Sequence, residues 1–396
     1  MIYFDNNATT RLAPEAREAM LPWLGDDYGN PSAGYRFGRA ARKAVDHARE
    51  QVAALIGAQP DEIVFTSGGT ESNNTAIRSA IALRPDRTAL VTSTVEHSAV
   101  DEVFRMFDQA GRCPTGLDAR FNPVDSLGQL DLEQWRTNLE EDDAILASLI
   151  WANNETGVYS AVAEAAGIAA EHDVIFHTDA VQAVGKIPID VSGLPVHALS
   201  MSAHKLHGPK GVGALFVNSR MRFSPLMIGG GQENERRSGT ENVPGIVGFG
   251  VAAELAASHF AETASLATLR DTFERGIRDT IEGVEINGAP DNRLSNTSNL
   301  YFPGVDGEGI LILLDEAGVC CSPGSACSTG DVKPSRIVKA MGHSPTRARS
   351  SVRFSFSRFN TGEEVGEAIA AVKRAVDKLR VVMPTGGSRV VGSSRV

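Results

Sequence analysis

The stretch from Val174 to Phe216, VIFHTDAVQAVGKIPIDVSGLPVHALSMSAHKLHGPKGVGALF, decides how the rest of the chain is arranged. Val174–His177 is a short apolar run of the buried-strand kind; it leads to Asp179, with Gln182 three residues further on. A second run, His197–Met201, leads into Ser202-Ala203-His204-Lys205. The turn-rich Leu206–Gly211 follows, and then a third apolar run, Val212–Val217. A carboxylate at one strand end and a lysine at the next, among small residues and glycines, suit a pyridoxal phosphate (PLP) enzyme. The Lys205 amine would form the Schiff base, and Asp179 would hold a proton on the pyridine nitrogen so that the ring accepts electrons. A helix-capping Asp and a solvated loop Lys look the same in isolation, so the surroundings have to decide.

Working outward, Glu62–Thr66 reads as a strand, Ser67-Gly68-Gly69-Thr70 as a tight turn and Glu71–Ala82 as a helix. Free backbone N–H groups and the helix dipole make such a junction a phosphate cradle. Thr88–Ser93 is a further strand, ending near Glu96-His97. Ala144–Ile150 opens onto Trp151–Gly157, and a helix over Ala161–His172 follows. Strands alternating with helices from residue 60 to 217 predict a parallel, mostly buried sheet. Ligands on such sheets sit at the carboxyl ends of strands, where Gly69, His97, Asn154, Asp179 and Lys205 all fall. Before this region, Ala44, Val45, Ala48, Val52 and Leu55 mark one face of a helix over Arg39–Ile56, which Gly57 ends. After it, Gly229–Thr240 reads as an exposed functional loop or subunit contact. Pro244–Ala257 and Leu266–Glu282 read as long helices. Strands at Asn296–Tyr301 and Ser351–Ser357 with a helix over Glu363–Leu379 give an α+β pattern, and Gly386–Val396 reads as a frayed end.

At 396 residues the chain exceeds one core of ~100–200 residues, so two domains are expected. A net charge of -11 argues against nucleic acid or an anionic membrane as partner. No apolar run approaches the ~20 residues of a membrane span, and Met1–Asp5 turns polar at once, unlike a secretory leader. A soluble, cytoplasmic protein is expected. Cys320, Cys321 and Cys327 crowd together, with Cys113 apart. This favours thiol or metal chemistry over a disulfide framework, and adjacent Cys320-Cys321 lacks the spacing of a zinc site.

The motifs DNNATT (5–10), FTSGGTESN (65–73), EHSAV (96–100), WANNETG (151–157), HTDAVQAVGK (177–186), SAHKLHGPKG (202–211), RRSGTEN (236–242), GSACSTG (324–330) and SSVRFSFSRF (350–359) follow one another in the order of a known family. The chain resembles the cysteine desulfurases of the NifS/IscS group, and in its motifs the NifS branch most. The resemblance implies the fold-type I PLP (aspartate aminotransferase-like) α/β architecture: a large domain with a mainly parallel sheet and a smaller α+β C-terminal domain. The division it implies is a large domain over 15–255, a small domain from 1–14 and 256–380, and a flexible tail over 381–396. It implies removal of sulfur from L-cysteine, giving L-alanine and a Cys327 persulfide that supplies iron–sulfur cluster assembly, associated with nitrogenase. Partners implied are a second copy of the chain and an iron–sulfur scaffold as sulfur acceptor.

Residue by residue, the resemblance makes Lys205 the Schiff-base lysine, Asp179 the partner of the ring nitrogen, Gln182 the residue hydrogen-bonded to the ring hydroxyl and His97 the group stacked on the ring and shuttling a proton. Gly69, Thr70, Ser202 and His204 would cradle the phosphate, with Thr240 entering from the other subunit. Asn154 and Arg353 would hold the substrate, Arg353 as a fork on its carboxylate, with Asn7 nearby. Cys327 would be the nucleophile, as thiolate, and through its persulfide a transient iron–sulfur ligand. Pro323 stiffens the approach to it. Cys320 and Cys321 read as inert core thiols, with sulfur relay or oxidative pairing as the alternative. Also open are a housekeeping or tRNA-thiolation desulfurase, a selenocysteine or cysteine-sulfinate lyase, and a non-catalytic assembly scaffold. Lys205, Asp179, His97 and Cys327 together stand against the last.

Overall fold

The computed structural model describes residues 1–108, 116–141, 143–260, 263–323 and 334–382. Twelve strands in chain order are β1 (Ile2–Tyr3), β2 (Ile63–Thr66), β3 (Ala89–Ser93), β4 (Asp118–Asn122), β5 (Ala144–Ile150), β6 (Ile175–Asp179), β7 (Ala198–Ser202), β8 (Gly213–Val217), β9 (Glu285–Ile286), β10 (Thr297–Tyr301), β11 (Val319–Cys320) and β12 (Ser351–Ser355).

Seven of them form one sheet in the order β2-β8-β7-β6-β5-β3-β4. Strands β2, β3, β5, β6, β7 and β8 are buried along their whole length. This accounts for their near-continuous apolar sequences, since a sheet covered on both faces has no solvent side to alternate toward. The pairings β3–β4, β3–β5, β5–β6 and β6–β7 are parallel, but β8 runs antiparallel to both neighbours, β7 and β2. The expectation of a parallel sheet through residue 217 is corrected at this strand. Leu206–Val212 is too short to carry a crossover, so the chain returns antiparallel. Strand β2 still points the same way as β7, and the carboxyl ends of β2, β3, β5, β6 and β7 share one edge.

Helix Arg36–Leu55 packs on this sheet through Ala41, Val45, Ala48 and Val52, together with helix Val243–Ser258, which is apolar nearly all round. A second core gathers Phe4, Phe273, Phe354 and Phe356 under the three-stranded sheet β12-β10-β9, with Phe4 and Phe356 ring centroids 4.6 Å apart. Strand β1 belongs to this core by pairing with β11, so the first residues pack with the last third of the chain. Among the described residues, no single helix is long and apolar enough to cross a membrane.

The glycine-rich 229–240 loop is only partly exposed. Glu233, Asn234 and Glu235 all have positive φ (50°, 55° and 64°), uncommon for residues with side chains. Glu233 is buried at 3 % exposure. A two-pronged ion pair with Arg49, both contacts at 2.7 Å, and a 2.8 Å bond from the Phe65 N–H hold it there.

Candidate active site

The carboxyl ends of the strands open into a cleft of about 460 Å³ whose lining includes Asn7, Gly69, Thr70, His97, Asn154, Asp179, Gln182, Ser202, His204, Lys205 and Arg353. Eleven residues singled out from the sequence thus meet in one place. Thr240 is exposed and lies outside this lining. Cys327 lies outside the described residues, and with it the persulfide and iron–sulfur ligand roles. So does Cys113.

Asp179 closes β6 with its carboxylate buried at 3 % exposure. Its Oδ2 accepts from Asn73 Nδ2 at 2.7 Å and its Oδ1 from the Val181 N–H at 3.0 Å. Two residues earlier on the same face of the strand, His177 spans the sheet: its Nδ1 meets Ser148 Oγ at 2.8 Å and its Nε2 meets Ser200 Oγ at 2.9 Å. Burial lowers the pKa of His177 to about 3, so it is a neutral tie between β5, β6 and β7 beneath the cleft.

Lys205 ends the short turn Ala203–Lys205 that follows β7. Its Nζ donates to the backbone oxygens of Asn7 at 2.6 Å and Ala8 at 2.7 Å. Burial, then the charge of Arg353, lowers its pKa to about 8, with Asp179 opposing. His97 precedes helix Ser98–Asp108, and its Nδ1 accepts the Ala99 N–H at 3.1 Å. That bond assigns the proton of the neutral ring to Nε2, and burial lowers the pKa of the ring so that the neutral form dominates.

At the junction of β2 and helix Gly69–Leu83, Gly68 adopts φ 153° and ψ 179°, a conformation open essentially to glycine alone. A Cβ on Gly69 would sit 2.6 Å from Val181 Cγ2, so only a bare backbone fits between that side chain and the helix start. Gly69, Thr70, Ser202 and His204 also border an adjoining cleft of about 390 Å³. His204 bonds Thr9 Oγ1 at 3.1 Å through Nδ1, and burial lowers its pKa to about 4. Arg237, from the glycine-rich loop, pairs at 2.9 Å with Glu71 in the first turn of the same helix.

Arg353 in β12 is 4 % exposed. One guanidinium arm donates to the Asn154 oxygen at 2.9 Å and the other to Asp5 Oδ1 at 2.7 Å, while its buried Nε–H has no hydrogen-bond partner among the described residues. Asn7 Nδ2 donates to Thr297 Oγ1 at 2.9 Å and to the Asn154 oxygen at 3.2 Å, knitting the first residues to the far part of the chain. Ser322, also in the lining, exchanges backbone bonds with Arg353 at 3.1 and 2.7 Å. On the far side of the segment that carries Cys327, Ser335 donates to Glu155 Oε2 at 2.5 Å, and Arg336 donates to the backbone oxygens of Thr94 (2.6 Å) and Glu96.

Asn73, Asp5, Ser322 and His177 were not singled out from the sequence. Asn73 alone had a readable signal. It stands four residues after Gly69, so one helical turn brings both to the same face.

A family model described as aminotransferase class-V matches residues 2–367. The chain is 47% identical to a cysteine desulfurase of Cereibacter sphaeroides over 98% of this chain and 99% of that one. It is 45% identical to the cysteine desulfurase NifS of Azotobacter vinelandii, over 97% of this chain and 94% of that one. A solved structure described as a NIFS-like protein superposes with a TM-score of 0.88 at 34% identity, covering 96% of this chain and 100% of that one. The chain belongs to the cysteine desulfurase family of the class-V aminotransferases. The family's cofactor is PLP, and the cleft suits it. A glycine junction with little room for a side chain suits an anion, a buried carboxylate fixed by Asn73 suits a protonated ring nitrogen, and an amine of lowered pKa lines the same cleft. Among the described residues no group of His, Cys, Asp or Glu is placed to hold a metal ion.

Among the described residues, the free thiols are Cys320 and Cys321, both partly buried. Burial, then Asp5, raises the pKa of the Cys321 thiol far above its usual range, and it packs against the second core. Burial raises that of Cys320 as well. Neither offers much thiolate at neutral pH, which favours the inert reading over sulfur relay.

Proposed function

We propose that this chain removes sulfur from L-cysteine with PLP, leaving L-alanine and a persulfide on Cys327. The observation that carries the reading is Arg353, which lines the same cleft as Lys205 and whose Nε–H has no partner among the described residues. A buried cationic donor without a partner is costly, and the carboxylate of an amino acid satisfies it. Asp5 and the Asn154 oxygen hold the guanidinium in place meanwhile.

PLP, when bound, draws electrons from the substrate's Cα and makes its sulfur open to attack. Around it, Lys205 Nζ takes the Cα proton, which its lowered pKa favours near neutral pH. Asp179 keeps the ring nitrogen protonated. His97 offers Nε2–H at the substrate's thiol. The Cys327 thiolate forms an S–S bond as the substrate's C–S bond breaks; the bonding pair stays on carbon, which is protonated to give alanine. Ser322, five residues before Cys327, lines the cleft. Covalent reach of about 17 Å over five residues supports the thiol's access to it.

The chain works as a cytoplasmic homodimer, with Thr240 completing the partner's phosphate cradle. Its exposure and the Arg237–Glu71 tie beside the helix start support this. The sulfur goes to an iron–sulfur scaffold that serves nitrogenase, as identity to the Azotobacter relative suggests.

The test measures alanine and sulfide from L-cysteine plus a thiol reductant, in wild type and Cys327→Ala, and sulfur passed to nitrogenase-type and housekeeping scaffolds. Equal yields from wild type, both lost in a Cys327→Ala protein that keeps its bound PLP, are expected, with the nitrogenase-type scaffold served faster. A fully active Cys327→Ala would point to a lyase that eliminates sulfur directly. Equal service to both scaffolds would remove the nitrogenase assignment.

A further inference from the structure

Lys186 lies in the turn after β6, four residues past Gln182, and lines a small cavity of about 70 Å³ behind Lys205 rather than the main cleft. Its Nζ donates to Gln182 Oε1 and, at 3.4 Å, to Asn7 Oδ1. Gln182 Nε2 donates to the Asn7 backbone oxygen at 2.9 Å, the oxygen that also receives Lys205 Nζ. A backbone carbonyl can only accept, so the Asn7 oxygen takes the nitrogen end of the amide, and the oxygen end meets Lys186 Nζ, which carries N–H donors whether charged or neutral. One end of the Gln182 amide must therefore be oxygen and the other nitrogen.

We propose that Lys186 is a positioning residue that locks the Gln182 amide with its oxygen turned back and its NH2 turned into the cleft, toward the ring hydroxyl of PLP. This rests on the reading that Gln182 faces that hydroxyl. The amide has one N–H committed to Asn7 and a second left to give. If it turned over, it would set an oxygen against the oxygen of the ring.

The environment of Lys186 supports a role other than stability. Its hydrogen-bond partners are two neutral amide oxygens, and among the described residues no carboxylate forms an ion pair with it. Burial, then the charges of Lys205 and Arg353, pushes its pKa well below that of an ordinary lysine. A buried amine without a counter-charge is a burden on the fold, and an apolar side chain of similar length would be favoured there on stability alone.

The experiment uses PLP-loaded protein and compares wild type, Lys186→Met, Gln182→Leu and the double variant. It reads the equilibrium retention of PLP and the pH midpoint at which the visible band of bound PLP changes. A donor to the ring oxygen stabilises its ionised form, so losing the donor moves the midpoint up. Lys186→Met should hold PLP about tenfold more weakly, the effect of one buried hydrogen bond, and raise the midpoint by about one unit. Gln182→Leu should move both in the same direction, and the double variant should be no worse than Gln182→Leu, because one interaction cannot be lost twice. Wild-type retention and midpoint in Lys186→Met, with Gln182→Leu shifted, would overturn the inference. No shift in Gln182→Leu would overturn the placement of Gln182 itself, and the inference with it. Should Lys186→Met fail to fold, Lys186→Leu, which likewise has no donor, serves: a shift of the same sign supports the proposal, and a wild-type midpoint ends it.

Discussion

Glu96 stands next to His97 with no exposure to solvent. Its Oε1 accepts from Ser93 Oγ at 2.6 Å and from the Ile150 N–H at 2.9 Å, while Oε2 has no partner. Burial, opposed by those two bonds, raises its pKa to about 8. The unfolded chain releases this proton near pH 4.5, the folded protein only near pH 8. Over that window the folded state binds more protons, so the stability present below pH 4.5 declines as pH rises. Glu96→Gln keeps the shape and carries no proton to lose. Its unfolding midpoint should therefore gain on wild type between pH 5 and 8, by on the order of 2 kcal/mol in stability. A difference that stays flat with pH would mean Glu96 is ionised in the fold. At this scale the sequence was partly readable. Asp179 and Lys205 declared themselves because each follows an apolar run, and strand ends are where such sheets bind ligands. Asp5 gave no such signal: its partner Arg353 is 348 residues away, and no local spacing encodes a pair that distant. Lys186 and Asn73 were quoted within their motifs, but their work is done on other side chains, which a linear pattern does not reveal.

Among the elements, β2 is the edge of the seven-stranded sheet, and an edge leaves backbone groups unpaired. Glu233 takes the Phe65 N–H of that edge while Arg49 Nη1 donates to the Ile63 oxygen at 2.8 Å. The loop read from the sequence as an exposed functional loop or subunit contact therefore also seals a strand, and its three consecutive positive-φ residues are held by one ion pair. Arg49→Ala would leave Glu233 buried and unpaired, at a cost of about 3–5 kcal/mol. Thermal unfolding should show a midpoint lower by several degrees; a wild-type midpoint would mean that the loop is held by something else. The helices and strands read from the sequence lie within a few residues of those in the structure, but β4 and the helices Ser98–Asp108 and Gly307–Glu316 were not read. The antiparallel sense of β8 was not: an apolar run reads the same in both directions, and only the shortness of Leu206–Val212 carried the information.

For the whole molecule, the proposed pairing of Lys205 in one subunit with Thr240 of its mate makes a prediction that no single chain can mimic. Lys205→Ala alone should be inactive and Thr240→Val alone impaired in holding PLP. When the two variants are unfolded and refolded together, mixed dimers contain one intact site, and up to about half of the activity per mixed dimer should return. No recovery would place Thr240 with its own subunit's site. The architecture also bears on how the protein comes to exist. Asp5 and Asn7 complete their contacts against Thr297, Arg353 and Ser355, so the opening residues of the chain wait for the closing ones. During synthesis, which proceeds from the first residue onward, the emerging polypeptide can shape its large sheet early but lacks Arg353, the residue proposed to grip the amino acid. On the proposed function, a ribosome that stalls before residue 353 releases a chain without that grip, so unfinished copies would liberate no sulfur.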